Sequence, residues 1–379
     1  MRLTARALNR ATLARQLLLR REPLSVADGV RRIVALQAQD PASPYIAMWN
    51  RLIGLDPAEV DRAFADGSVV KAHLMRITLH AVHASDYPAF HEAMQTTLRA
   101  ARLNDRRFRA SGLTVAEADA LAGDLMAYAR TRRADGEIGT WIDERLGERA
   151  HPRVWWAIRH YAPLHHAPTG GPWAFRPDKA YIAASEPDDG EARRAGVHRL
   201  VQRYLEAFGP ASARDVAAFS LIRANAIHDA LRSLRDDGIV IAVEGPDGHK
   251  LFDLLGGLLP DADSPAPPRL LGMWDSVLLA YADRSRVIPP EHRRLVIRSN
   301  GDVLPTLLVD GYVAGVWRPL DGGIEATAFH PLSDAAWAGL ESEARGLVAF
   351  LGRREPHVYR RYAHWWSTLP SSDIRVLGR

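Results

Sequence analysis

Residues 224–254, ANAIHDALRSLRDDGIVIAVEGPDGHKLFDL, decide the fold of this chain. Within residues 224–234, apolar side chains recur at helical spacing and share one face: Ile227, Ala230, Leu231 and Leu234. Two apolar, β-branched runs follow, joined by the turn residues Gly-Pro-Asp-Gly at 245–248. That pattern is typical of a β-hairpin. The stretch therefore predicts a helix followed by a two-stranded wing.

The segments before this stretch complete the same unit. Residues 191–208 predict a helix ended by Gly209-Pro210, and Ser212 begins the next helix. Three helices followed by strand, turn and strand form a winged helix-turn-helix unit. The same order of elements occurs twice upstream, without detectable repetition of the sequence itself.

Helix N-cap residues and turn residues predict the elements of the two upstream units. In the first, Thr4 caps a helix to about residue 19 and Ser25 caps a helix over residues 26–36. The remaining predicted elements of both units are helices over 44–52, 57–66, 86–103, 114–130, 139 onward and 151–161, with hairpins within 68–84 and 164–181.

The last part of the chain has a different character. Residues 260–268, PDADSPAPP, form a linker by composition. Beyond it we predict strands at 287–289, 295–298, 303–309 and 312–317, then a helix over 332–351. The predicted fold class is mainly α with β wings (α+β). It comprises three tandem winged helix-turn-helix units (1–104, 105–188, 189–259) and a small C-terminal β-barrel or sheet with a terminal helix (269–379).

The amino-acid composition excludes several kinds of catalytic and binding chemistry. The 379 residues contain no cysteine, which excludes disulfides, thiolate nucleophiles and cysteine-ligated metals. The apolar runs near the start are too short and interrupted for a signal peptide or a membrane span, so we expect a cytoplasmic protein with no membrane partner. The sequence has no phosphate-binding loop and no dinucleotide fingerprint. We predict no cofactor and no metal, because histidines on strand faces are more often packed or solvated than ligating.

The charge distribution suggests double-stranded DNA as partner. The net charge is +4, and through residue 133 we count 20 basic against 13 acidic residues. Of 49 basic residues only Lys71, Lys179 and Lys250 are lysine, although codon usage in a GC-rich genome explains most of that bias. Winged helices with basic faces point to nucleic acid, but such units also mediate protein contacts. Candidate DNA contacts are Lys71, Arg76 and His80 on the first hairpin, and Arg223, Asn225, His228, Arg232 and Arg235 on the helix at 224–234.

The motif Leu36-Gln37-Ala38-Gln39-Asp40-Pro41 is the candidate catalytic element. A residue before proline is pushed out of the helical region, so the chain should leave its helix here. Residues two apart share a face only in an extended segment, which Gln37 and Gln39 need if they act together. The plain alternative is that two glutamines satisfy backbone groups at a helix end.

Three motifs carry a family resemblance. Residues 37–39 (QAQ), 76–80 (RITLH) and 273–286 (MWDSVLLAYADRSR), together with the three predicted units, resemble the bacterial winged-helix DNA glycosylases, long called crosslink repair proteins. Residues 300–317 fit the same family, so the resemblance covers nearly the whole chain. The glutamine pair resembles the branch associated with azinomycin self-resistance in Streptomyces.

The resemblance implies a monofunctional glycosylase that excises N7-alkylated purines and unhooks interstrand crosslinks, with Gln37 and Gln39 as catalytic residues. An N7-alkylguanine is already cationic, so it leaves as a neutral base without a general acid. A glutamine carbonyl can orient the attacking water, and its dipole can face the developing sugar cation. Our hypothesis is that Gln37 positions water and Gln39 holds the deoxyribose or the motif. Asp40 can add negative charge.

Further DNA contacts are expected at the segment 283–286, through Arg284 and Arg286, and at the hairpin carrying Arg318. Two alternatives stay open at this point. A non-catalytic winged-helix transcriptional regulator predicts sequence-specific binding and a dimer, whereas three units in one chain favour a monomer that wraps its own duplex. A protein that sequesters the free drug predicts a hydrophobic pocket lined by some of the ten tryptophans.

Overall fold

A computed structural model describes residues 2–184, 190–370 and 373–379, with backbone alone for residues 190–192. The helices are α1 (Ala5–Arg15), α2 (Val26–Ile33), α3 (Ser43–Trp49), α4 (Pro57–Ala65), α5 (Tyr87–Leu103), α6 (Arg106–Arg109), α7 (Val115–Tyr128), α8 (Asp135–Leu146), α9 (Pro152–Tyr161), α10 (Gly190–Phe208), α11 (Ala213–Ser220), α12 (Ala224–Asp236), α13 (Arg293–Val296) and α14 (Asp334–Gly352).

The strands are β1 (Leu36–Gln37), β2 (Val69–His73), β3 (Leu79–His83), β4 (Arg133–Ala134), β5 (Leu164–Ala167), β6 (Ala180–Ala183), β7 (Val240–Glu244), β8 (Lys250–Leu254), β9 (Arg269–Leu271), β10 (Thr306–Val309), β11 (Tyr312–Leu320), β12 (Gly323–Ala328) and β13 (Asp373–Leu377). Single 3₁₀ turns occur at Met75–Ile77, Gly147–Arg149, Ser276–Leu278, Arg284–Arg286 and Pro290–His292, and a longer 3₁₀ helix at Arg360–Thr368. The chain is therefore a mixed α and β protein.

The helix starts follow the sequence closely. The side chains of Thr4 and Ser25 accept hydrogen bonds from the first-turn amides of α1 and α2, as N-caps do. Two predicted ends differ: α1 stops at Arg15 and α2 at Ile33, three residues before the predicted end of α2. Val34 has a positive φ of 76°, which turns the chain out of the helix and leaves Leu36 and Gln37 free to pair as a strand.

The helix predicted from residue 139 begins earlier, at Asp135. The Glu137 carboxylate accepts a hydrogen bond from the Ala134 amide at 2.6 Å, and the Asp135 amide donates to the Lys179 carbonyl at 2.8 Å. These bonds satisfy the first amides of α8. Lys179 is remote in sequence, so local pattern gave no sign of this start.

Two predicted hairpins lie side by side in one antiparallel sheet. Its strand order is β1-β3-β2-β5-β6-β4, and the two hairpins meet where Lys71 on β2 pairs with His166 on β5. Strands from the first two predicted units therefore form one continuous layer.

Residues 190–254 contain the predicted order of three helices and two strands. Ser212 and Asp215 cap α11 reciprocally, and β7 pairs with β8 from Val240 opposite Leu254 to Glu244 opposite Lys250. Helix α10 packs closely along α5, because a Cβ on Gly196 would lie 2.6 Å from a backbone oxygen of α5.

The C-terminal region is an open five-stranded sheet of order β13-β12-β11-β10-β9, with α14 present as predicted. The strands predicted at 287–289 and 295–298 are wrong: residues 287–289 link two 3₁₀ turns, and the second segment begins within the short α13. Pro289 and Pro290 lack amide donors for a ladder. Val287 and Ile288 reach the core from the link, and Val296 reaches it from α13. Their apolar character reflects burial, which periodicity over three residues cannot distinguish from a strand.

Two hydrophobic cores hold these layers. One joins α1–α4 to the C-terminal sheet and α14, and the other joins the central sheet to the helices from α5 to α12. Buried ion pairs connect distant segments: both guanidinium nitrogens of Arg51 lie 2.8 Å from the Asp275 carboxylate, and Arg15 contacts Asp253 similarly at 2.7 and 2.8 Å. In the described part of the chain, no helix combines the length and apolar character needed to cross a membrane. The predicted domain boundaries stay a prediction, and the one between residues 188 and 189 lies outside the described residues.

Replacing Arg51 with Met should lower the free energy of unfolding by about 3–5 kcal/mol, because Asp275 is then buried without its partner. Urea denaturation measures this change. Arg232→Met is the matched control, since the ion pair of Arg232 with Asp229 on α12 is exposed and should leave the midpoint unchanged. Equal midpoints for the two variants would show that the buried pair does not hold the N-terminal helices to the C-terminal region.

Candidate active site

The glutamine motif leaves its helix and becomes extended, as the sequence predicted. Strand β1 pairs with β3, with Gln37 opposite His80. The Gln37 side-chain carbonyl accepts a hydrogen bond from the Gln39 amide at 3.0 Å, and the Asp40 carboxylate accepts one from the Ala42 amide at 3.1 Å. These two local bonds fix the backbone of a sharp turn between β1 and α3.

The turn that follows β1 separates the two glutamines. Residues directly opposite each other in a sheet project from the same face, and adjacent residues project from opposite faces. Gln37 therefore shares a face with His80, whereas Lys71 shares the other face with Ala81 and His166. Gln37 is buried with 5% of its surface exposed, while the turn carries Gln39 to the surface.

A cleft of about 650 Å³ opens on the Lys71 face of the sheet. Four parts of the chain line it: the turn with Gln39, Asp40, Pro41 and Ala42; the sheet floor with Lys71, Leu79 and His166; the β5–β6 loop and strand ends between residues 167 and 180; and Glu355 with residues 357–361. Gln37 is not among the lining residues. Of the two predicted catalytic residues, the structure places only Gln39 in the cleft.

The sequence did not predict that Glu355 and residues 357–361 line the cleft. Tyr359 anchors this segment, because its hydroxyl lies 3.0 Å from the Ser43 hydroxyl and accepts a hydrogen bond from the Met273 amide at 3.2 Å. The Trp173 indole donates to Glu355 at 3.0 Å, which joins two walls of the cleft. The run HVYRRYAHWW at 357–366, rich in arginine and aromatic residues, was the available signal. Its distance from residue 39 along the chain hid its location.

Asp40 and Lys71 are the charged groups that the cleft partly withdraws from water. Burial raises the pKa of Asp40 above its ordinary value, opposed by the hydrogen bond from Ala42 and by the charges of Arg361 and Lys71. The Arg361 guanidinium lies 3.9 Å from the Asp40 carboxylate. Burial lowers the pKa of Lys71 to about 8, while the charge of Asp40 acts in the opposite direction. An amine is therefore available near neutral pH.

Lys71 lacks a conventional partner. Its ammonium lies 4.2 Å from the centroid of the Phe175 ring, and among the described residues it has no ion pair and no side-chain hydrogen bond. A buried lysine is rarely left without a carboxylate, so this placement needs an explanation beyond packing.

Arg76 and His80 lie together on the Gln37 face. The Arg76 guanidinium is 3.2 Å from the His80 ring nitrogen Nε2 and stacks 5.1 Å from the Phe219 ring centroid. Burial lowers the pKa of His80 to about 3 and that of Arg76 to about 10. The imidazole is therefore neutral. Arg76 packs against Phe219 of α11, and neither side chain lines the cleft.

The three other predicted DNA contacts lie at separate positions. Arg284 is half-buried in its 3₁₀ turn, and Arg286 donates to the Pro210 carbonyl at 2.8 Å. Arg318 on β11 pairs with Glu325 at 2.7 Å. By contrast, Arg223, just before α12, and His228, Arg232 and Arg235 on the outer face of α12 are exposed. The structure groups none of these with Gln39.

Three histidines cluster at the floor of the cleft. The His73 ring centroid lies 4.2 Å from that of His160 and 5.6 Å from that of His166. Burial lowers the pKa of all three below the ordinary value, so they pack as neutral rings. Within residues 2–184, 190–370 and 373–379, no group of three or more histidine, aspartate or glutamate side chains is arranged to hold a metal ion.

The chain is a DNA glycosylase, an enzyme acting on N-glycosyl bonds, because a sequence model of such enzymes matches residues 30–350. Specifically, it belongs to the family described as DNA glycosylase AlkZ-like. This confirms the family resemblance read from the three motifs and decides for an enzyme over the regulator and the sequestering protein.

Two similar proteins support the assignment. An interstrand DNA cross-link repair glycosylase of Streptomyces sahachiroi is 27% identical over 358 residues, which cover 87% of this chain and 92% of that protein. The solved structure of Streptomyces sahachiroi DNA glycosylase AlkZ matches with a TM-score of 0.79 at 24% identity, covering 94% of this chain and 99% of that chain. The second comparison establishes similarity of fold.

Lys71 should titrate near pH 8, against an ordinary value of 10.5. NMR of lysine labelled at the ε carbon measures this directly, since the chain has only three lysines. In Asp40→Asn the midpoint should fall further, because the Asp40 charge stabilises the ammonium. Asp178→Asn removes an exposed carboxylate from the same cleft and should shift the midpoint less. A Lys71 midpoint near 10.5 would contradict its burial.

Proposed function

We propose that this enzyme hydrolyses the N-glycosidic bond of N7-alkylated, cationic purines in double-stranded DNA and unhooks bulky interstrand crosslinks. The observation that carries the proposal is that the exposed side-chain amide of Gln39 and the half-buried Asp40 carboxylate line the same open cleft. Both groups suit a reaction in which a sugar cation develops and the leaving base needs no proton.

The chemistry follows from the charge of the lesion. Cleavage passes through an oxocarbenium-like sugar. An N7-alkylpurine accepts the bonding electrons as a neutral base, so the site must only orient a water molecule and stabilise positive charge. The Gln39 carbonyl can accept a hydrogen bond from that water. The Asp40 carboxylate, shielded from solvent, stabilises the cation more strongly than an exposed carboxylate does.

We assign the two glutamines different roles from those predicted. Gln37 is buried, and its carbonyl already accepts the Gln39 amide, which supports a positioning role. Gln39 and Asp40 then contact the substrate. In this arrangement Gln37 holds the turn from which Gln39 projects, and water, not an amine of the enzyme, displaces the base.

Crosslink unhooking is supported by the shape of the cleft and by the relative from Streptomyces sahachiroi, whose name describes interstrand cross-link repair. A base still attached to the opposite strand resists full extrusion into an enclosed pocket, whereas an open cleft can admit it. We further propose self-resistance to an alkylating metabolite such as azinomycin. Action as a monomer on chromosomal DNA would place the protein in the cytoplasm, at the nucleoid.

Contacts with the duplex are proposed from exposed cations. The three groups of helices and hairpins act as winged-helix units, and α12 presents its outer arginines to phosphates. Arg360 and Arg361 border the cleft and are exposed, so they suit phosphates beside the lesion. Arg284, Arg286 and Arg318 remain proposed peripheral contacts. For Lys71, Arg76 and His80 the burial favours roles within the protein or at the reacting sugar.

Gln39→Ala should reduce excision of 7-methylguanine by roughly 100-fold, because the water loses its acceptor. Alkali-induced cleavage of a duplex with one 7-methylguanine measures the rate. Gln39 is exposed, so stability should not change. Gln37→Ala should lower both excision and stability, the latter by about 1 kcal/mol. Gln202→Ala on α10 is the control with full activity. Full activity in Gln39→Ala would remove this residue from the reaction.

Uncharged lesions should resist the enzyme. A duplex with a single hypoxanthine lacks the positive charge that makes 7-methylguanine a good leaving group, and the cleft turn offers no strong acid to protonate it. Parallel assays on the two duplexes, under the same alkali treatment, should show cleavage only with 7-methylguanine. Comparable rates on both would point to a general acid and refute the proposed mechanism.

A further inference from the structure

Lys71 is the amine nearest to the proposed chemistry. It lies at the centre of the sheet floor, opposite Ala81 on one side and His166 on the other, and it lines the same cleft as Gln39 and Asp40. Lys179, the other lysine of the cleft, is exposed on the opposite wall, and Lys250 lies on β8. Lys71 is thus the cleft lysine that a buried sugar would meet.

The product of base excision is an electrophile that can react with the amine of Lys71. Loss of the base leaves a deoxyribose whose ring-opened form carries an aldehyde at C1′. A neutral lysine amine adds to aldehydes to form a Schiff base, the usual covalent chemistry of a desolvated lysine. From the shared cleft, and because no ion pair holds Lys71 within the described part of the chain, we infer that Lys71 forms a Schiff base with the abasic site and gives the enzyme a second, DNA lyase activity. The inference rests on the proposed function and departs from the monofunctional enzyme predicted from the sequence.

The reaction balances without a further reagent. The Lys71 nitrogen bonds to C1′, and the aldehyde oxygen takes one hydrogen from the amine and one proton from solvent and leaves as water, giving a protonated imine. The C2′ proton then passes to the Asp40 carboxylate, and the electrons of the C2′–H bond form a C2′–C3′ double bond as the 3′ phosphate leaves. Water hydrolyses the imine, which releases an unsaturated aldehyde and restores Lys71.

Burial raises the fraction of Lys71 that is present as the free amine. Its nitrogen lies over the Phe175 ring, and no hydrogen bond to another described side chain holds it in place. The pKa of about 8, lowered by burial, leaves a usable fraction of free amine at neutral pH, which an exposed lysine does not have. A purely structural lysine would instead be expected to contact a carboxylate within the protein.

Borohydride trapping tests the inference with an abasic site prepared beforehand, so that base excision is not required. The full-length protein is incubated with abasic duplex and sodium borohydride, which reduces an imine to a stable amine. Lys71→Arg keeps the positive charge but cannot form the imine, while Lys179→Arg and Lys250→Arg are matched controls. Peptide mapping of the wild-type adduct by mass spectrometry identifies the attacking amine even if Lys71→Arg is unstable.

The expected result is an adduct mapped to Lys71, retained in both control variants and reduced to background in Lys71→Arg, with strand cleavage in the absence of alkali. No adduct, or an adduct on another amine, overturns the inference. Excision of 7-methylguanine is assayed in parallel. Excision without an adduct leaves the proposed function intact and removes only the lyase, whereas an adduct on Lys71 without excision keeps the lyase and refutes the proposed function.

Discussion

The pairing of β1 with β3 is the constraint on which the site depends. Two residues, Leu36 and Gln37, add to the edge of the central sheet, and their register decides which side chains face the cleft. Because adjacent residues of a strand face opposite sides, Gln37 is directed to the His80 face while the turn after it carries Gln39 and Asp40 to the other. A slip of one residue would exchange these environments. The positive φ of Val34 is what allows the pairing, since it ends α2 early.

The cleft is assembled from segments far apart in sequence. Tyr359 holds residues 357–361 in place through hydrogen bonds with Ser43, at the start of α3, and with Met273, after β9. The buried ion pair of Arg51 with Asp275 fixes the N-terminal helices to the C-terminal region. Each of these contacts removes polar groups from water. Because a buried polar group needs its hydrogen-bond partner, each contact holds the segments it joins in one arrangement. This is how a site carried by a short turn becomes rigid enough to orient a water molecule.

The cleft is lined by a weakly basic amide and by charged groups that are partly shielded from water. Both properties suit a lesion whose base already carries a positive charge. An amide cannot act as a strong base, but it can orient water when the leaving group is already activated. The same withdrawal from water that raises the pKa of Asp40 lowers that of Lys71. One physical cause, desolvation, therefore supports both the proposed stabilisation of the sugar cation and the inferred attack by the lysine amine.

The sequence by itself determined most of the helix starts, the hairpins, the extended course of the glutamine motif and the family, because caps, turn residues and proline act within a few residues of chain. The family match then confirmed the class of enzyme. Only the tertiary structure decided that Lys71 and His80 are buried, that Gln37 and Gln39 separate, that residues 287–289 are not a strand, and that residues 357–361 line the cleft. Those outcomes depend on strand register and on burial between distant segments, and neither is encoded in local periodicity.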